Sequence, residues 1–173
     1  MHIEDRARKV KVVLIDVDGV LTDGKMIYGN YGDELKAFDV QDGLGIQLLK
    51  AANIYIFIIT GRFSKIILKR AKELKVSEVF QNVNDKLKLY EKLKRKLKLA
   101  DENFCCIGDD LLDLPLIKRA GLSCAVSNAQ EEVKEKAHYI TSRAGGCGAV
   151  REVINIILKS QNKWKEVTAK FYK

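Results

Sequence analysis

The sequence predicts an α/β fold, namely a doubly wound, mostly parallel sheet with helices on both faces. Apolar runs of strand length alternate along the chain with segments of helical periodicity, and this alternation is typical of consecutive βαβ units. The 173 residues suffice for one domain with a full hydrophobic core and are few for two. A hydrophobic fraction of 47% and a single Pro favour a chain that is folded throughout.

The strands and helices of this fold can be assigned in order. The apolar runs predicted as strands span residues 11–16, 55–60, 78–80, 104–108 and 123–126. The segments predicted as helices span residues 44–52, 64–74, 85–97, 111–120 and 149–159. The first four helices therefore connect successive strands, as a parallel sheet requires, and the fifth is a final helix after the last strand.

Two segments lie outside this alternation. Residues 24–39 contain two β-prone stretches around a Gly and Asn turn, which predicts a β-hairpin insert within a domain of residues 1–160. The last segment, residues 161–173, is a basic tail with scattered aromatic residues. We expect this tail to be loose or to dock on another subunit.

Composition disfavours several classes of protein. No apolar run approaches the roughly 20 residues that cross a bilayer, and the N-terminus MHIEDRARK is too polar for a signal peptide. We therefore expect no membrane partner and a cytoplasmic location. The four cysteines lack CxxC spacing, so neither a zinc site nor a disulfide framework is predicted.

The formal net charge of +8 allows two interpretations, a nucleic-acid partner or attraction of an anionic substrate. Part of the excess lies in residues 85–102, where Leu87, Tyr90, Leu93 and Leu97 recur at helical spacing. The lysines between them fall mostly on the opposite face, which favours an ordinary solvated helix. We therefore expect no nucleic-acid partner.

Acidic residues follow the first predicted strand. In the sequence LIDVDG, Asp16 and Asp18 are two positions apart, so on an extended chain they project to the same side. Burying a carboxylate without a partner is costly, so the pair either faces a cation or sits at an open strand end. In a doubly wound sheet, functional groups gather beyond the carboxyl ends of the strands, where this pair is expected.

A second acidic group follows the fourth predicted strand, in the sequence GDDLLD. Asp109 lies at the strand end, where it can meet Asp16, whereas Asp110 and Asp113 are spaced to share one face of the next predicted helix. Three or more oxygen ligands without a nearby Cys or His indicate a hard cation, which we predict to be Mg²⁺. Because these loops contain no histidine, a carboxylate is the expected nucleophile.

Three further residues suit a phosphoryl ligand. Thr60 offers a hydroxyl donor, Gly61 lets the backbone approach closely, and Lys86 supplies a positive charge for a phosphate and a nearby aspartate. Each feature alone has a structural explanation, since aspartate also favours helix caps and turns. Capping does not explain the ordered combination on successive βα units, which favours a phosphate site.

These motifs resemble those of the haloacid dehalogenase superfamily phosphatases. The four motifs of that family correspond here to Asp16 with Asp18, Thr60, Lys86, and Asp109 with Asp113, in that order. More narrowly, the chain resembles the 3-deoxy-D-manno-octulosonate 8-phosphate phosphatases of lipopolysaccharide sugar synthesis. This resemblance covers most of the chain and rests on the phrases DVDGVLTDG, GNYGDELKAFDVQDGLGI, ITGR, IGDDLLDLP and AGGCGAVREV.

The resemblance implies Mg²⁺-dependent hydrolysis of 3-deoxy-D-manno-octulosonate 8-phosphate through an aspartyl phosphate. Asp16 would be the nucleophile, and Asp18 would protonate the departing sugar oxygen and then activate water. Thr60 and Lys86 would bind the transferring phosphoryl group. Mg²⁺ would be held by Asp16, the Asp18 carbonyl and Asp109.

The resemblance assigns roles to further residues. Asp110 and Asp113 would support the metal through waters or orient the phosphate-binding lysine. Gly61 and Arg62 would contact the substrate, with the Arg62 guanidinium binding the carboxylate of the sugar acid. The chain departs from its relatives at Cys147, where they commonly carry a basic residue.

The family also accounts for the hairpin. Larger relatives carry a cap domain over the site, whereas this subfamily is similar to capless enzymes that assemble as tetramers. We therefore expect no cap domain and a homotetramer in which a neighbour's hairpin closes the site.

Two alternative functions remain open. One is a phosphatase for a nine-carbon sialic or deaminated sialic acid 9-phosphate, and the other is a noncatalytic tetramerisation module of a sugar-nucleotide synthetase. The intact set of Asp16, Asp18, Lys86 and Asp109 disfavours the module.

Overall fold

The computed structural model describes residues 2–173, in which eight strands form two sheets. The strands are β1 (Val12–Ile15), β2 (Ile27–Tyr28), β3 (Glu34–Leu35), β4 (Tyr55–Ile59), β5 (Glu78–Phe80), β6 (Phe104–Gly108), β7 (Leu122–Ala125) and β8 (Tyr139–Ile140). Six of them form a parallel sheet in the order β5-β4-β1-β6-β7-β8. The other two, β2 and β3, pair antiparallel as the predicted hairpin.

Helices cover both faces of the parallel sheet. They are α1 (Ile3–Arg8), α2 (Val40–Ala51), α3 (Lys65–Leu74), α4 (Lys86–Leu97), α5 (Leu114–Ile117), α6 (Glu131–Lys134), α7 (Ala149–Ser160) and α8 (Trp164–Thr168). On one face α2 packs against α3 and α7, and α1 packs against α7, while α4 and α5 pack together on the other face. The predicted doubly wound fold is confirmed, and residues 2–173 contain no cap domain.

Strand β1 lies at the centre of the sheet because of its sequence. All four of its residues, VVLI, are buried, as expected for a parallel strand covered by helices on both faces. It pairs with β4 on one side and with β6 on the other. The carboxyl ends of these three strands therefore meet at one edge of the sheet, where the predicted site residues begin.

The short elements differ from the sequence-based expectation. The predicted helix 111–120 is instead a 3₁₀ turn over residues 111–113 followed by the four-residue α5. Pro115 stands at the start of α5 and has no N–H with which to continue the preceding turn as a longer helix. The elements α1, α6, α8 and β8 were not predicted, because segments of two to six residues are too short to show a hydrophobic period.

The basic tail packs on its own chain. Gln161 Nε2 donates to the backbone carbonyl of Ala7 in α1 at 3.0 Å and to that of Val10, just after α1, at 2.7 Å. The side chain of Val167 in α8 is buried against the core. The tail is therefore packed on its own chain as far as Thr168 and is not loose there, whereas Tyr172 beyond it is exposed.

Two expectations from composition can be compared with this fold. Within residues 2–173, none of the helices combines the length and the apolar character that a bilayer-spanning segment needs. The four cysteines are free thiols, of which Cys147 is exposed and the other three are buried.

Candidate active site

The structure brings all nine sequence-predicted site residues into the wall of one cavity. The cavity lies at the carboxyl edge of the parallel sheet and has a volume of about 160 Å³. Its lining consists of Asp16, Asp18, Thr60, Gly61, Arg62, Lys86, Asp109, Asp110 and Asp113, together with Leu112. Groups from three strand ends and from the start of α4 therefore face a common space.

The loop after β1 brings Asp16 and Asp18 to the cavity. The Asp16 amide donates to the carbonyl of Ile107 at 3.2 Å, which continues the pairing of β1 with β6 to the strand end. Gly19 has a φ of +92°, and a Cβ there would lie 2.0 Å from Oδ2 of Asp109. Only glycine lets the loop turn this closely against that carboxylate.

Lys86 joins two carboxylates inside the cavity. It is the first residue of α4, whose N-cap Asp85 accepts the backbone amide of Lys88 at 2.9 Å. Its Nζ lies 2.5 Å from Oδ1 of Asp16 and 2.5 Å from Oδ1 of Asp113. Burial disfavours the charged amine, but the two carboxylates outweigh burial and hold the pKa of Lys86 above its usual value. Lys86 therefore remains an ammonium ion.

Asp113 and Asp110 do not share a helix face, contrary to the prediction. Asp113 is 2% exposed, and its Oδ2 accepts the backbone amides of Asp109 at 3.0 Å and of Asp110 at 3.4 Å. Asp110 is exposed and caps the 3₁₀ turn by accepting the amide of Leu111 at 2.7 Å. The tight turn folds Asp113 back under the end of β6, where it binds the Lys86 ammonium, and leaves Asp110 at the rim.

The end of β4 presents Thr60 to the cavity. Its amide donates to the carbonyl of Phe80, and its carbonyl accepts the amide of Val83, so both main-chain groups are fixed. Its Oγ1 accepts the amide of Arg62 at 3.1 Å, which leaves the hydroxyl hydrogen for an anionic ligand. Gly61 lies between them and is exposed.

The carboxylates of the cavity carry more negative charge than Lys86 offsets. Burial, reinforced by the charge of Asp113, raises the pKa of Asp16 to about 8. Burial, with the charges of Asp113 and Asp110, raises the pKa of Asp109 to about 7. Both shifts indicate that this cavity accommodates a further positive charge.

A divalent cation fits this set of donors. Carboxylate oxygens of Asp16, Asp109 and Asp113 lie within 4.8 Å of one another. Oxygen donors of this kind suit a hard ion such as Mg²⁺. Because the oxygens of Asp113 already bind Lys86 and two backbone amides, Asp16 and Asp109 are the better placed ligands.

Sequence reasoning missed three hairpin residues that reach this site. Lys36 Nζ lies 2.5 Å from Oδ1 of Asp18 and 3.2 Å from Oε1 of Glu34. Burial alone would lower the pKa of Lys36, but the hydrogen bonds to both carboxylates raise it by more than burial lowers it. The net shift of this pKa is therefore upward. The Oη of Tyr28 accepts a hydrogen bond from the Arg62 guanidinium at 3.2 Å. The two-residue period of extended chain was the available signal, since it places Glu34 and Lys36 on one face.

The sequence is similar to known phosphatases over nearly its full length. Residues 76–154 match the family model described as haloacid dehalogenase-like hydrolase. The 3-deoxy-D-manno-octulosonate 8-phosphate phosphatase KdsC of Salmonella typhi is 42% identical over 165 residues, which are 95% of this chain and 88% of that protein. The phosphatase of the same name from Yersinia pestis is 44% identical over 163 residues, which are 94% of this chain and 87% of that protein.

The fold is similar to a solved structure as well. The crystal structure of 3-deoxy-D-manno-octulosonate 8-phosphate phosphatase from Moraxella catarrhalis contains a magnesium ion, a phosphate ion and a KDO molecule. It has a TM-score of 0.95 and 45% sequence identity to this chain, and the match covers 98% of this chain and 97% of that one. The chain therefore belongs to the 3-deoxy-D-manno-octulosonate 8-phosphate phosphatase family of haloacid dehalogenase-like hydrolases.

Proposed function

We propose that this chain is a Mg²⁺-dependent phosphatase that hydrolyses 3-deoxy-D-manno-octulosonate 8-phosphate to the free sugar acid and phosphate. One observation carries the proposal, namely the convergence of Asp16, Asp18, Lys86 and Asp109 in a single cavity of a chain 42% identical to a phosphatase of that name. These residues supply a nucleophile, an acid and base, a phosphate-binding cation and a metal ligand.

The first step transfers the phosphoryl group to Asp16. A carboxylate oxygen of Asp16 attacks phosphorus in line with the ester oxygen, and an aspartyl phosphate forms as the bond from phosphorus to the sugar oxygen breaks. Asp18 gives its proton to that oxygen, so the sugar acid leaves as an alcohol. The Thr60 hydroxyl and the Lys86 ammonium bind oxygens of the group in transfer.

The second step restores Asp16. Asp18, now ionised, takes a proton from a water molecule whose oxygen attacks phosphorus, and the bond from phosphorus to Asp16 breaks. Phosphate is released, and Asp18 holds a proton again. One carboxyl group therefore serves first as acid and then as base.

Asp16, Asp109 and the backbone carbonyl of Asp18 are the proposed ligands of Mg²⁺. When bound, this ion supplies the positive charge that stabilises the transferring phosphoryl group. The raised pKa values of the Asp16 and Asp109 carboxyl groups support the assignment, as does the magnesium ion in the Moraxella catarrhalis structure. Asp113 is assigned to orient the lysine, and the exposed Asp110 to support the metal through water.

Gly61 and Arg62 are the proposed substrate contacts. The Arg62 guanidinium donates to Tyr28 at the rim of the cavity, and its other N–H groups suit the carboxylate of a sugar acid. Gly61 has no side chain to obstruct the path between that carboxylate and the phosphoryl site.

The same proposal includes a homotetramer in which a neighbour's hairpin closes the cavity. The hairpin carries exposed apolar side chains, since Ile27, Tyr28, Tyr31 and Leu35 are each at least 50% exposed. Phe63, next to Arg62, is exposed too. A cluster of exposed apolar side chains is typical of an interface.

We also propose that the protein acts in the cytoplasm, because unpaired cysteines suit a reducing compartment.

Phosphate release from a panel of esters tests the proposed substrate. The panel contains 3-deoxy-D-manno-octulosonate 8-phosphate, a sialic acid 9-phosphate, hexose phosphates and a nucleotide, each with Mg²⁺ and with EDTA. We expect a strong preference for the eight-carbon acid, and only with Mg²⁺. Preference for the nine-carbon acid would keep the mechanism and change the substrate, whereas no release from any ester would overturn the proposal.

Two variants test the proposed mechanism. Asp16→Asn removes the nucleophile and should abolish turnover, while Asp18→Asn should slow departure of the sugar oxygen. Because the amide keeps the size of the side chain and Lys86 retains Asp113 as its counter-ion, we expect the fold to be retained. Circular dichroism checks the fold. Substantial turnover by Asp16→Asn would contradict the covalent step.

A further inference from the structure

Lys36 points inward from the hairpin, whereas the neighbouring Leu35 points outward. The Lys36 side chain is 2% exposed, whereas the neighbouring Leu35 is 54% exposed. Burying a lysine while exposing a leucine is unfavourable in a hairpin held only by its own packing. The orientation therefore indicates that the ammonium group serves the cavity beneath it.

The Lys36 ammonium connects the hairpin to the proposed acid and base. Its Nζ is 2.5 Å from Oδ1 of Asp18 and 3.2 Å from Oε1 of Glu34, so it is itself held from two sides. A carboxyl group rotates about its single bonds unless a partner fixes one of its oxygens. A charge-assisted donor on Oδ1 of Asp18 therefore also determines where Oδ2 points.

We propose that Lys36 is a positioning residue, which holds one oxygen of Asp18 so that the other faces the departing sugar oxygen. The inference deepens the proposed phosphatase function and rests on it. Since Lys36 belongs to the hairpin, the position of the hairpin sets the orientation of the acid. Lys36 itself makes no bond to the transferring phosphoryl group, which is bound by Thr60 and Lys86.

A comparison of two substrates separates this role from a purely structural one. An alkyl ester such as the sugar 8-phosphate needs a proton on its leaving oxygen, whereas p-nitrophenyl phosphate has a stable leaving group that needs it far less. The ratio kcat/KM reports the steps through leaving-group departure, and the later hydrolysis of the aspartyl phosphate does not enter it. We expect Lys36→Met to lower kcat/KM about tenfold or more on the sugar phosphate and less than about threefold on the aryl phosphate.

Three companion variants complete the test. Lys36→Arg, which keeps a cationic donor, should recover part of the activity on the sugar phosphate. Lys36→Gln keeps a neutral donor and is measured in case Lys36→Met unfolds. Lys25→Met is the matched control, because Lys25 lies beside the hairpin and pairs with Asp23 at the surface, where its side chain is 77% exposed. It should behave as the wild type on both substrates.

Several outcomes would overturn the inference. Equal losses on both esters would show that Lys36 acts on phosphoryl binding or on the fold, and unchanged kinetics would show that it does not orient Asp18. Failure of both Lys36→Met and Lys36→Gln to fold would assign the residue to stability instead. If the wild type prefers a different alkyl phosphate, the proposed substrate fails, and the comparison of that ester with the aryl phosphate still tests Lys36.

Discussion

The ammonium group of Lys86 lies 2.5 Å from a carboxylate oxygen of Asp113, a residue 27 positions further along the chain. The other oxygen of Asp113 accepts the backbone amides of Asp109 and Asp110. Lys86 also lies 2.5 Å from Asp16. The buried carboxylate of Asp113, held at the end of β6, therefore fixes the position of the Lys86 ammonium group beside Asp16 at the end of β1.

Replacing Lys86 with methionine should both inactivate and destabilise the protein. Asp16 and Asp113 would lose their shared counter-ion in a buried site, and removing one partner of a buried ion pair costs about 3 kcal/mol of unfolding free energy. Urea unfolding at pH 7 measures this loss. Lys92→Met, an exposed change in the same helix, should alter stability by less than about 0.5 kcal/mol. Equal stability of Lys86→Met and the wild type would contradict the assignment.

Mg²⁺ should stabilise the wild type against heat, and Asp109→Asn should remove most of that effect. A ligand that binds only the folded state at a hundred times its Kd stabilises it by about 2.7 kcal/mol. Thermal melting with Mg²⁺ and with EDTA measures the response. Asp23→Asn, outside the cavity, should respond as the wild type does. An unchanged response in Asp109→Asn would exclude that residue as a ligand.

Asp42, which lies where α2 packs against α7, should make the unfolding free energy of the protein depend on pH. Its Oδ1 accepts the amide of Arg151 at 2.7 Å, while its Oδ2 is buried without a hydrogen-bond partner among the described residues. Burial raises the pKa of Asp42 to about 6, from a usual value of 3.8. The folded state therefore holds this proton more tightly than the unfolded chain does. The resulting stabilisation is complete below pH 3.8 and is lost as the pH rises through 6.

The variant Asp42→Asn isolates this effect, because the amide does not titrate. The unfolding free energy of the wild type minus that of the variant should fall by about 2 kcal/mol between pH 4 and pH 7. Urea unfolding across this range measures the difference. A difference that stays constant with pH would show that Asp42 has an ordinary pKa in the folded protein.

Much of the cavity could be predicted because a parallel sheet collects its functional groups at one edge. Asp16, Thr60 and Asp109 each follow a buried apolar strand, so recognising the strands was enough to bring their side chains together. Lys86 was predictable in the same way, since it opens the helix after β5. The apolar patterns that mark the strands and the parallel arrangement of those strands therefore both indicated the same site.

The contacts that could not be predicted depend on short or irregular backbone. A four-residue run cannot distinguish a 3₁₀ turn from the start of an α-helix, so the fold-back of Asp113 beneath the end of β6 had no signal in the sequence. The hairpin strands have two residues each, and their orientation over the cavity depends on tertiary contacts. For that reason the ion pair between Lys36 and Asp18 emerged only in three dimensions.

Charging the outer face of the hairpin should break the proposed tetramer. Leu35 and Ile27 are cross-strand partners, and both are at least half exposed, so Leu35→Asp places a carboxylate where a neighbour is expected to pack. Sedimentation should show smaller species and a loss of activity on the sugar phosphate, since a separated subunit leaves its cavity open. Tyr172→Asp, another exposed change, at the far end of the chain, should keep the assembly. A wild-type monomer with full activity would contradict the need for a neighbour's hairpin.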